Sequence, residues 1–461
     1  MRLGLIRERY LAHEAERYVE AALEALLERS VAVSVYTRSW PETKLQLIEP
    51  VICNPPHIGR LTREWGFAHA VCRAVARQPP ELVQSHVPMP CCDFYHAVHG
   101  VHATRLEQRA RVTSRARAVA SRLMPYDRYR LASEKKLLAS SWLRAVACPS
   151  WMVREDIHRT FGVPRERLHI IPPPVDSDAF HPGLRSLRGW LRERHRIPEA
   201  AMLYVIWAAD YAHDGVPVVI AALQALPPTS HLLVLGQERR MSHYTALADQ
   251  LGVRERVVFA GAIGEPKPYL GAADAFVLPT LYDPCSRATL EAMACGLPVI
   301  TSTHSGVAEL VDTHDAGRVS DALDIKAIAE HMRALHDPAL RQRLGENARK
   351  AVLPFTTAAV TLKLVLLYRD LLTPAGVAPA PSAIAQDART QTLITQAKAL
   401  GTMPEVAAPP ALADAAAELP MDSGVPVLDE AVPMDSVPPE VEPGATPPLA
   451  PTADGEKQER P

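Results

Sequence analysis

The sequence lacks the features of small secreted domains and of membrane-spanning chains. Its seven cysteines form an odd set without a Cys-x-x-Cys pair. Its N-terminus, Met-Arg-Leu-Gly-Leu-Ile-Arg-Glu, becomes charged too early for a signal peptide. No window approaches the roughly 18–20 uninterrupted apolar residues that a membrane-spanning helix needs. We therefore expect a protein of the reducing cytoplasm that can lie on a membrane but does not cross one.

The chain also has little net charge, but its charges are segregated. The formal charge is -2. Residues 374–461 hold 4 basic and 13 acidic residues, whereas residues 1–180 hold 26 basic and 19 acidic ones. Residues 181–373 are balanced, with 20 of each sign. All the positive excess therefore lies in the first part of the chain, and the end of the chain is acidic.

The length and the pattern of apolar residues predict two α/β domains. A chain of 461 residues with 48% hydrophobic residues exceeds what one core usually organises. Short apolar runs alternate with helical patterns, which is typical of doubly wound, mainly parallel sheets. We predict domains over residues 1–185 and 186–354, a helix over 355–373 that returns to the first domain, and a disordered Pro/Ala-rich acidic tail over 374–461.

The positions of the strands and helices follow from the same patterns. Predicted strands in the first half are Leu3–Ile6, Val31–Tyr36, Leu82–Gln84, Phe94–Val98, Ala145–Cys148 and His169–Ile171. Predicted helices there are 14–29, 64–77, 106–119, 128–140 and 151–161. In the second half we predict strands Leu203–Trp207, Leu232–Leu235, Val257–Phe259, Ala275–Leu278 and Val299–Thr301, with helices near 216–226, 240–251 and 288–295.

The most informative stretch is residues 274–300, in which a buried strand enters a turn and a helix follows. A helix N-terminus presents free N–H groups and the positive end of a dipole, so it suits a phosphate. Asp283 and Glu291 stand eight residues apart around this turn, where their carboxylates can reach polyol hydroxyls. The alternative is an ordinary buried helix in which Glu291 is merely paired or capped.

This stretch resembles glycosyltransferase family 4, and within it the lipopolysaccharide core glucosyltransferases. The matching residues are Tyr282-Asp283-Pro284 and Leu290 to Ile300, which are similar to the family's paired-carboxylate motif. The resemblance covers residues 1–372 and implies two Rossmann-like doubly wound domains in the GT-B arrangement. It implies that Glu291 holds the donor's ribose, that Asp283 holds the sugar hydroxyls, and that the amides near Ser286, Arg287 and Ala288 hold the diphosphate.

The sequence departs from the family pattern at three places. The Gly-rich loop after the first strand is replaced by Tyr10 to Arg17, which contains no glycine. The Arg/Lys-Lys-Gly stretch that neutralises the diphosphate is replaced by Asp210 to Gly215, so that acid stands where base is usual. Arg239, Arg240 or Arg287 is expected to compensate. His99 stands where an acidic residue is usual before Gly-Val-His, and we expect His99 or His102 to lie near the reacting centre.

Two other interpretations concern the histidines and the basic residues. His96, His99 and His102 lie near Cys91 and Cys92, but their even spacing does not converge on a tetrahedral metal site, so we expect no metal. Residues 102–136 hold ten basic and three acidic residues interleaved with apolar ones, which indicates contact with an anionic membrane surface. A solvated helical face is the alternative. We expect no nucleic-acid partner, because neither stacking aromatics nor a recognition motif accompanies the charge.

Two hypotheses follow for the function. In the first, the chain is a retaining glycosyltransferase that moves a sugar from a nucleoside-diphosphate donor to a lipopolysaccharide-core or related glycolipid acceptor. It would need no cofactor or metal, and it would lie at the inner face of the cytoplasmic membrane. In the second, it is a catalytically degenerate protein of the same fold that serves as a binding or scaffold subunit at the membrane.

Overall fold

The computed structural model describes residues 2–8, 32–40 and 48–373, apart from the side chains of Val119, Ser121 and Arg122. The predicted helix at 14–29, the segment Tyr10 to Arg17 and the tail at 374–461 lie outside the described residues.

The first sheet has seven parallel strands in the order β3-β2-β1-β4-β5-β6-β7. These strands are β1 Arg2–Ile6, β2 Ala32–Thr37, β3 Ile48–Ile52, β4 Leu82–Ser85, β5 Phe94–His96, β6 Ala145–Cys148 and β7 Leu168–Ile170. Helices α1 Gly59–Arg77, α2 His102–Ala110, α3 Arg115–Leu123, α4 Pro125–Leu138 and α5 Trp151–Phe161 connect or follow them. Leu3, Leu5 and Phe94 are fully buried, as expected for strands covered on both faces.

The second sheet has six parallel strands in the order β10-β9-β8-β11-β12-β13. They are β8 Met202–Trp207, β9 Ser230–Leu235, β10 Val257–Gly261, β11 Ala275–Leu278, β12 Val299–Ser302 and β13 Gly317–Ser320. The associated helices are α6 Arg188–Arg194, α7 Val216–Gln224, α8 Met241–Gln250, α9 Lys267–Ala272, α10 Arg287–Ala294, α11 Ala308–Thr313, α12 Ile325–Ala334 and α13 Pro338–Val352. Short 3₁₀ turns lie at Arg165–Arg167, Pro182–Leu187 and Arg254–Arg256. Both sheets are doubly wound, and the predicted α/β class is confirmed.

A buried ion-pair network fastens the start of the second sheet. The Asp274 carboxylate, which precedes β11, accepts hydrogen bonds from Arg188 and Arg192 at 2.8 Å each and from the Leu203 amide at 2.9 Å. Arg192 is only 1% exposed, and its guanidinium also donates to the carbonyls of Ala201 and Ala272. Because every charge in this network has a partner, it can be buried between α6 and the sheet.

The last helix, α14 Thr357–Leu372, packs against the first sheet. Its Tyr368 hydroxyl hydrogen-bonds to the Gln84 side chain in β4, and its ring lies edge-on to Phe94 with the centroids 5.8 Å apart. The combined stretch Pro338–Leu372 has the length and hydropathy of a membrane span. In the structure α13 and α14 are separate helices, and both bury apolar side chains within the fold. We therefore assign α14 to the core of the protein.

The cysteines differ from expectation in one respect. Cys72 on α1 and Cys91 before β5 form a disulfide with their Cα atoms 5.5 Å apart, whereas the other five cysteines are free. Disulfides are rare in a reducing cytoplasm. This pair is therefore a feature that the cysteine pattern does not predict.

Candidate functional site

The strand order of the second sheet creates a crevice between β8 and β11. In both sheets the strand order reverses at such a point, and in doubly wound proteins ligands bind there, outside the carboxyl ends of the strands. The chain leaving β8 carries His213 and Asp214, and the chain leaving β11 carries Tyr282 and Asp283. The fold thus brings together two segments that are about 70 residues apart in the sequence.

Helix α10 begins directly beyond Asp283. The Ser286 hydroxyl caps it by accepting a hydrogen bond from the Thr289 amide at 3.2 Å. Ala288 is half-buried in the first turn. Among the described residues, no hydrogen-bond partner reaches the buried Thr289 hydroxyl oxygen. The first turn of α10 therefore presents the positive end of the helix dipole, while the Thr289 hydroxyl lies buried behind it.

Glu291 lies one turn along the same helix and is 8% exposed. The Arg287 guanidinium is 3.3 Å from its carboxylate. The pair is of the i,i+4 type and is open to solvent on the arginine side. Glu291 and Asp283 thus lie on one helix and the turn before it.

A cavity of about 180 Å³ lies in front of Asp283. Its lining residues are Val98, His99 and Arg105 from the N-terminal half and His213, Tyr282, Asp283 and Pro284 from the C-terminal half. Of the predicted site residues, His99 and Asp283 line the cavity. His102, Arg239 and Arg240 do not line it, and neither do Ser286, Arg287, Ala288 and Glu291 of the adjacent helix.

The carboxyl group of Asp283 has a strongly altered affinity for protons. Burial, and next the negative charge of Asp214, raise the pKa of Asp283 to about 7. The Cys285 amide and the charge of Arg105 oppose this shift. Asp283 is therefore poised between its neutral and ionised forms near neutral pH, as groups in functional sites often are.

The carboxylate of Asp214 is directed at the protein backbone. It accepts hydrogen bonds from the amides of Ala209 at 2.7 Å and Asp210 at 3.0 Å, and it is buried. Asp214 does not line the cavity, so this acid closes the turn after β8.

The two candidate histidines have different surroundings. His99 is exposed to the cavity, and its position within the cleft, and next the charges of Arg130 and Arg105, lower the pKa of His99 to about 4. It is therefore neutral at physiological pH. The His102 ring is 3.1 Å from Asp127, and its amide donates to Glu134 at 2.9 Å at the start of α2. In the described parts of the chain, no group of three or more His, Cys, Asp or Glu residues is arranged to hold a metal.

Tyr282 joins the two halves of the molecule at the cavity. Its hydroxyl accepts a hydrogen bond from the Val101 amide at 2.8 Å and also hydrogen-bonds with the Asp156 carboxylate of α5. Its carbonyl accepts from His213 Nε2 at 2.7 Å. Sequence reasoning missed Arg105 and His213 as cavity residues and Tyr282 as a bridge, because each depends on contacts between segments far apart in the chain.

Two family models match successive parts of the chain. Residues 15–179 match "Glycosyltransferase Family 4", and residues 190–351 match "Glycosyl transferases group 1". The two matched ranges contain most strands of the first and second sheets, respectively.

Curated relatives agree with these matches. The chain is 31% identical over 264 residues to a D-inositol 3-phosphate glycosyltransferase of Xylanimonas cellulosilytica, which covers 55% of this chain and 61% of that relative. It is 26% identical over 333 residues to the lipopolysaccharide glucosyltransferase WaaG of Escherichia coli, which covers 69% of this chain and 84% of that relative.

Solved structures share the fold. The crystal structure of WaaG aligns with a TM-score of 0.65 and 23% identity, over 79% of this chain and 99% of that one. The structure of Anabaena HepE in complex with UDP-glucose aligns with a TM-score of 0.59 and 16% identity, over 80% of this chain and 100% of that one. At these identities the likeness establishes the fold.

Proposed function

The chain belongs to the family 4 glycosyltransferases, and on this premise we propose that it is a retaining enzyme that transfers a sugar from a nucleoside-diphosphate donor to a glycolipid acceptor of the lipopolysaccharide-core type. The observation that carries the proposal is the cavity beside Asp283, which adjoins the N-terminus of α10 and the buried Glu291. A phosphate at the helix end, a sugar in the cavity and a ribose at Glu291 match the chemistry of one nucleotide sugar.

The roles of the residues follow from their chemistry. Ionised Asp283 would accept hydrogen bonds from sugar hydroxyls, and Glu291 would do the same for the ribose. The amides of α10 would stabilise the negative charge that develops on the departing diphosphate. Neutral His99 can hydrogen-bond to the sugar at the opposite wall of the cavity. No step in this scheme requires a metal.

A second, smaller cavity of about 40 Å³ lies in the N-terminal half. It is lined by Glu8, Glu64, Phe67, Ala68, Val87, Pro88, Met89, Tyr129, Arg130 and Ser133. The charge of Arg130, which lines this cavity, also lowers the pKa of His99 in the donor cavity, so the two cavities are neighbours. The second cavity is too small to hold a sugar ring, and its carboxylates are already engaged, Glu64 by Arg130 and Glu8 by Arg63. We therefore do not assign the acceptor sugar to it.

The membrane contact that we propose lies on the basic residues 102–136. Leu123 and Met124, at the end of α3, are 64% and 55% exposed and are flanked by Arg115, Arg117 and Arg128. Exposed apolar side chains among basic ones suit an interface with anionic lipid. Replacing both Leu123 and Met124 with Asp should abolish sedimentation with anionic vesicles, whereas Leu353→Asp, at an exposed apolar residue elsewhere, should not. Equal sedimentation of both variants would contradict the proposal.

The acidic tail bears on the same contact. We propose that it shields the basic surface, so that deletion of residues 374–461 strengthens vesicle binding at low salt. Unchanged vesicle binding after the deletion would contradict this proposal.

A labelled-donor experiment tests the transferase activity. Wild-type protein, Glu291→Gln and the matched surface variant Glu193→Gln are incubated with a panel of isotope-labelled nucleotide sugars. We expect wild type and Glu193→Gln to release nucleoside diphosphate from one donor class, and Glu291→Gln to lose most of that rate. If no donor is turned over but donors are bound, the binding or scaffold function motivated by residues 210–215 replaces the proposal.

A further inference from the structure

The donor site lacks the basic pair that neutralises the diphosphate, and the structure points to a replacement from the other half of the molecule. We propose that Arg105 of α2 is the cation that binds the donor's diphosphate. This inference rests on the proposed function and goes beyond it by naming a binding residue for the leaving group.

The side chain of Arg105 lies at the donor cavity. It lines the cavity opposite Asp283, three residues after α2 begins. Within the residues that the structure describes, neither a carboxylate nor a carbonyl accepts a hydrogen bond from its guanidinium. A guanidinium presents five donors in a fixed fork that matches phosphate oxygens. Arg105 is thus a phosphate-binding group at the edge of the proposed sugar site.

The other candidate cations are engaged or lie elsewhere. Arg287 is paired with Glu291 at 3.3 Å. Arg239 and Arg240 follow β9 and do not line the cavity. Arg130 contacts Glu64 at 3.4 Å and lines the second cavity. Among the residues that the structure describes, Arg105 is the single Arg or Lys that lines the donor cavity.

His213 offers the phosphate little in its place. Its Nε2 lies 2.7 Å from the Tyr282 carbonyl, and because a carbonyl only accepts, Nε2 carries the proton. Nε2 is therefore already engaged and offers no N–H to a phosphate. The position of His213 fixes the turn beside the leaving group and leaves the counter-charge to Arg105.

The helix that carries Arg105 is also held against the opposite half. Gln108 lies 2.9 Å from His304, and Arg111 pairs with Asp321 at 2.8 Å. Both contacts join the end of α2 to loops of the second sheet. These contacts hold the helix that carries Arg105 against the half that carries Asp283.

In the transfer step the bond between the sugar's anomeric carbon and the diphosphate oxygen breaks, and its electron pair stays on that oxygen. The acceptor hydroxyl oxygen forms the new bond to the same carbon, and its proton passes to the departing phosphate. Arg105 neutralises the charge that this electron pair brings, and so its effect should be greater on the rate than on ground-state binding.

The test compares Arg105→Ala and Arg105→Lys with Arg109→Ala, which removes the same charge one turn farther along α2. Steady-state kinetics are measured with the donor that wild type uses, and binding of the corresponding nucleoside diphosphate alone is measured by calorimetry. We expect Arg105→Ala to lower kcat/KM by roughly 10- to 100-fold and to weaken diphosphate binding severalfold. Arg105→Lys should recover part of both, and Arg109→Ala should stay within about twofold of wild type.

Two results would overturn the inference. One is that Arg105→Ala matches Arg109→Ala in both measurements. The other is that Arg105→Ala affects only donors with a uronic acid sugar and leaves diphosphate binding unchanged, since Arg105 would then bind a sugar carboxylate. Failure of the proposed function gives a different result, in which wild type itself turns over none of the donors.

Discussion

A methyl group added at Gly100 should push Tyr282 out of its contact with the other half of the site. The Gly100 φ of +66° lies in the left-handed region, and an added Cβ would lie 2.9 Å from two ring carbons of Tyr282 and closer still to the hydroxyl oxygen. In Gly100→Ala the tyrosine must therefore move by about 1 Å. That movement breaks its hydrogen bond with the Val101 amide and displaces the residue next to Asp283.

The expected magnitude follows from three contributions. Alanine in the left-handed region costs about 1–2 kcal/mol, overpacking costs about 1–3 kcal/mol, and loss of the hydrogen bond costs about 0.5–1.5 kcal/mol. Gly162→Ala isolates the first contribution, because Gly162 has a φ of +69° and nothing within 4 Å of an added Cβ. Gly100→Ala should thus be less stable than Gly162→Ala by about 1.5–4.5 kcal/mol in denaturant unfolding.

The displacement of Tyr282 in Gly100→Ala should also lower the enzymatic activity. A misplacement of about 1 Å near a reacting centre typically lowers the rate about 100-fold, so Gly100→Ala should lose most of its kcat/KM while Gly162→Ala keeps it. Adding Tyr282→Phe to Gly100→Ala removes the closest atom and should restore part of the stability. Equal stability and activity of the two glycine variants would refute the reasoning.

Two further predictions concern buried carboxylates. Asp274→Ala should lower the free energy of unfolding by about 3–5 kcal/mol, because it leaves Arg192 buried without its carboxylate. Burial alone would raise the pKa of Asp274, but the Leu203 amide, Arg188 and Arg192 hold this pKa below its usual value. The carboxylate therefore stabilises the folded state at pH values above its unfolded pKa, and this stabilisation is lost as the pH falls through its folded pKa. In pH-dependent denaturant unfolding, the difference between wild type and Asp274→Asn should narrow in acid, and a constant difference would contradict this. For Asp283, burial and then Asp214 raise the pKa to about 7, so kcat/KM should increase with pH through that value as the carboxylate ionises, and Asp214→Asn should move the midpoint to lower pH. If the pH midpoint of kcat/KM is the same in Asp214→Asn as in wild type, the assignment of this midpoint to Asp283 is contradicted.

The sequence predicted the buried parts of the fold because they are continuous apolar runs. Ala145–Cys148 and Ala275–Leu278 match β6 and β11 residue for residue, and the helix predicted near 288–295 is α10 at Arg287–Ala294. The missed strands are edge strands. β3 contains a proline and is mostly exposed, and β13 begins with a glycine and is only half-buried. Such strands carry little of the pattern that burial imposes.

The predicted helix at 106–119 shows a second limit. The structure divides this region into α2, which begins earlier at His102, and α3, with a break at 111–114. Glu134 on α4 accepts the His102 amide and so helps to start α2. The two residues are 32 positions apart in the sequence, so the residues around His102 give no indication of this contact.

The candidate site was predictable where its residues are adjacent in sequence and unpredictable where they meet across the cleft. Asp283, Ser286 and Glu291 follow from one strand-turn-helix segment. The sequence pattern places Arg105 only on a basic surface, because its position opposite Asp283 depends on how the two halves meet. The segment Asp210 to Gly215 places acid where base is usual, and only the backbone conformation shows that Asp214 accepts hydrogen bonds from the turn after β8.

The account is tested most directly by following the labelled sugar from the nucleotide donor into a glycolipid fraction and determining its anomeric configuration by NMR. We predict that wild-type protein transfers the label with its configuration retained and that Glu291→Gln transfers almost none. Absence of label in the lipid for every donor, or a product with inverted configuration, would contradict the account.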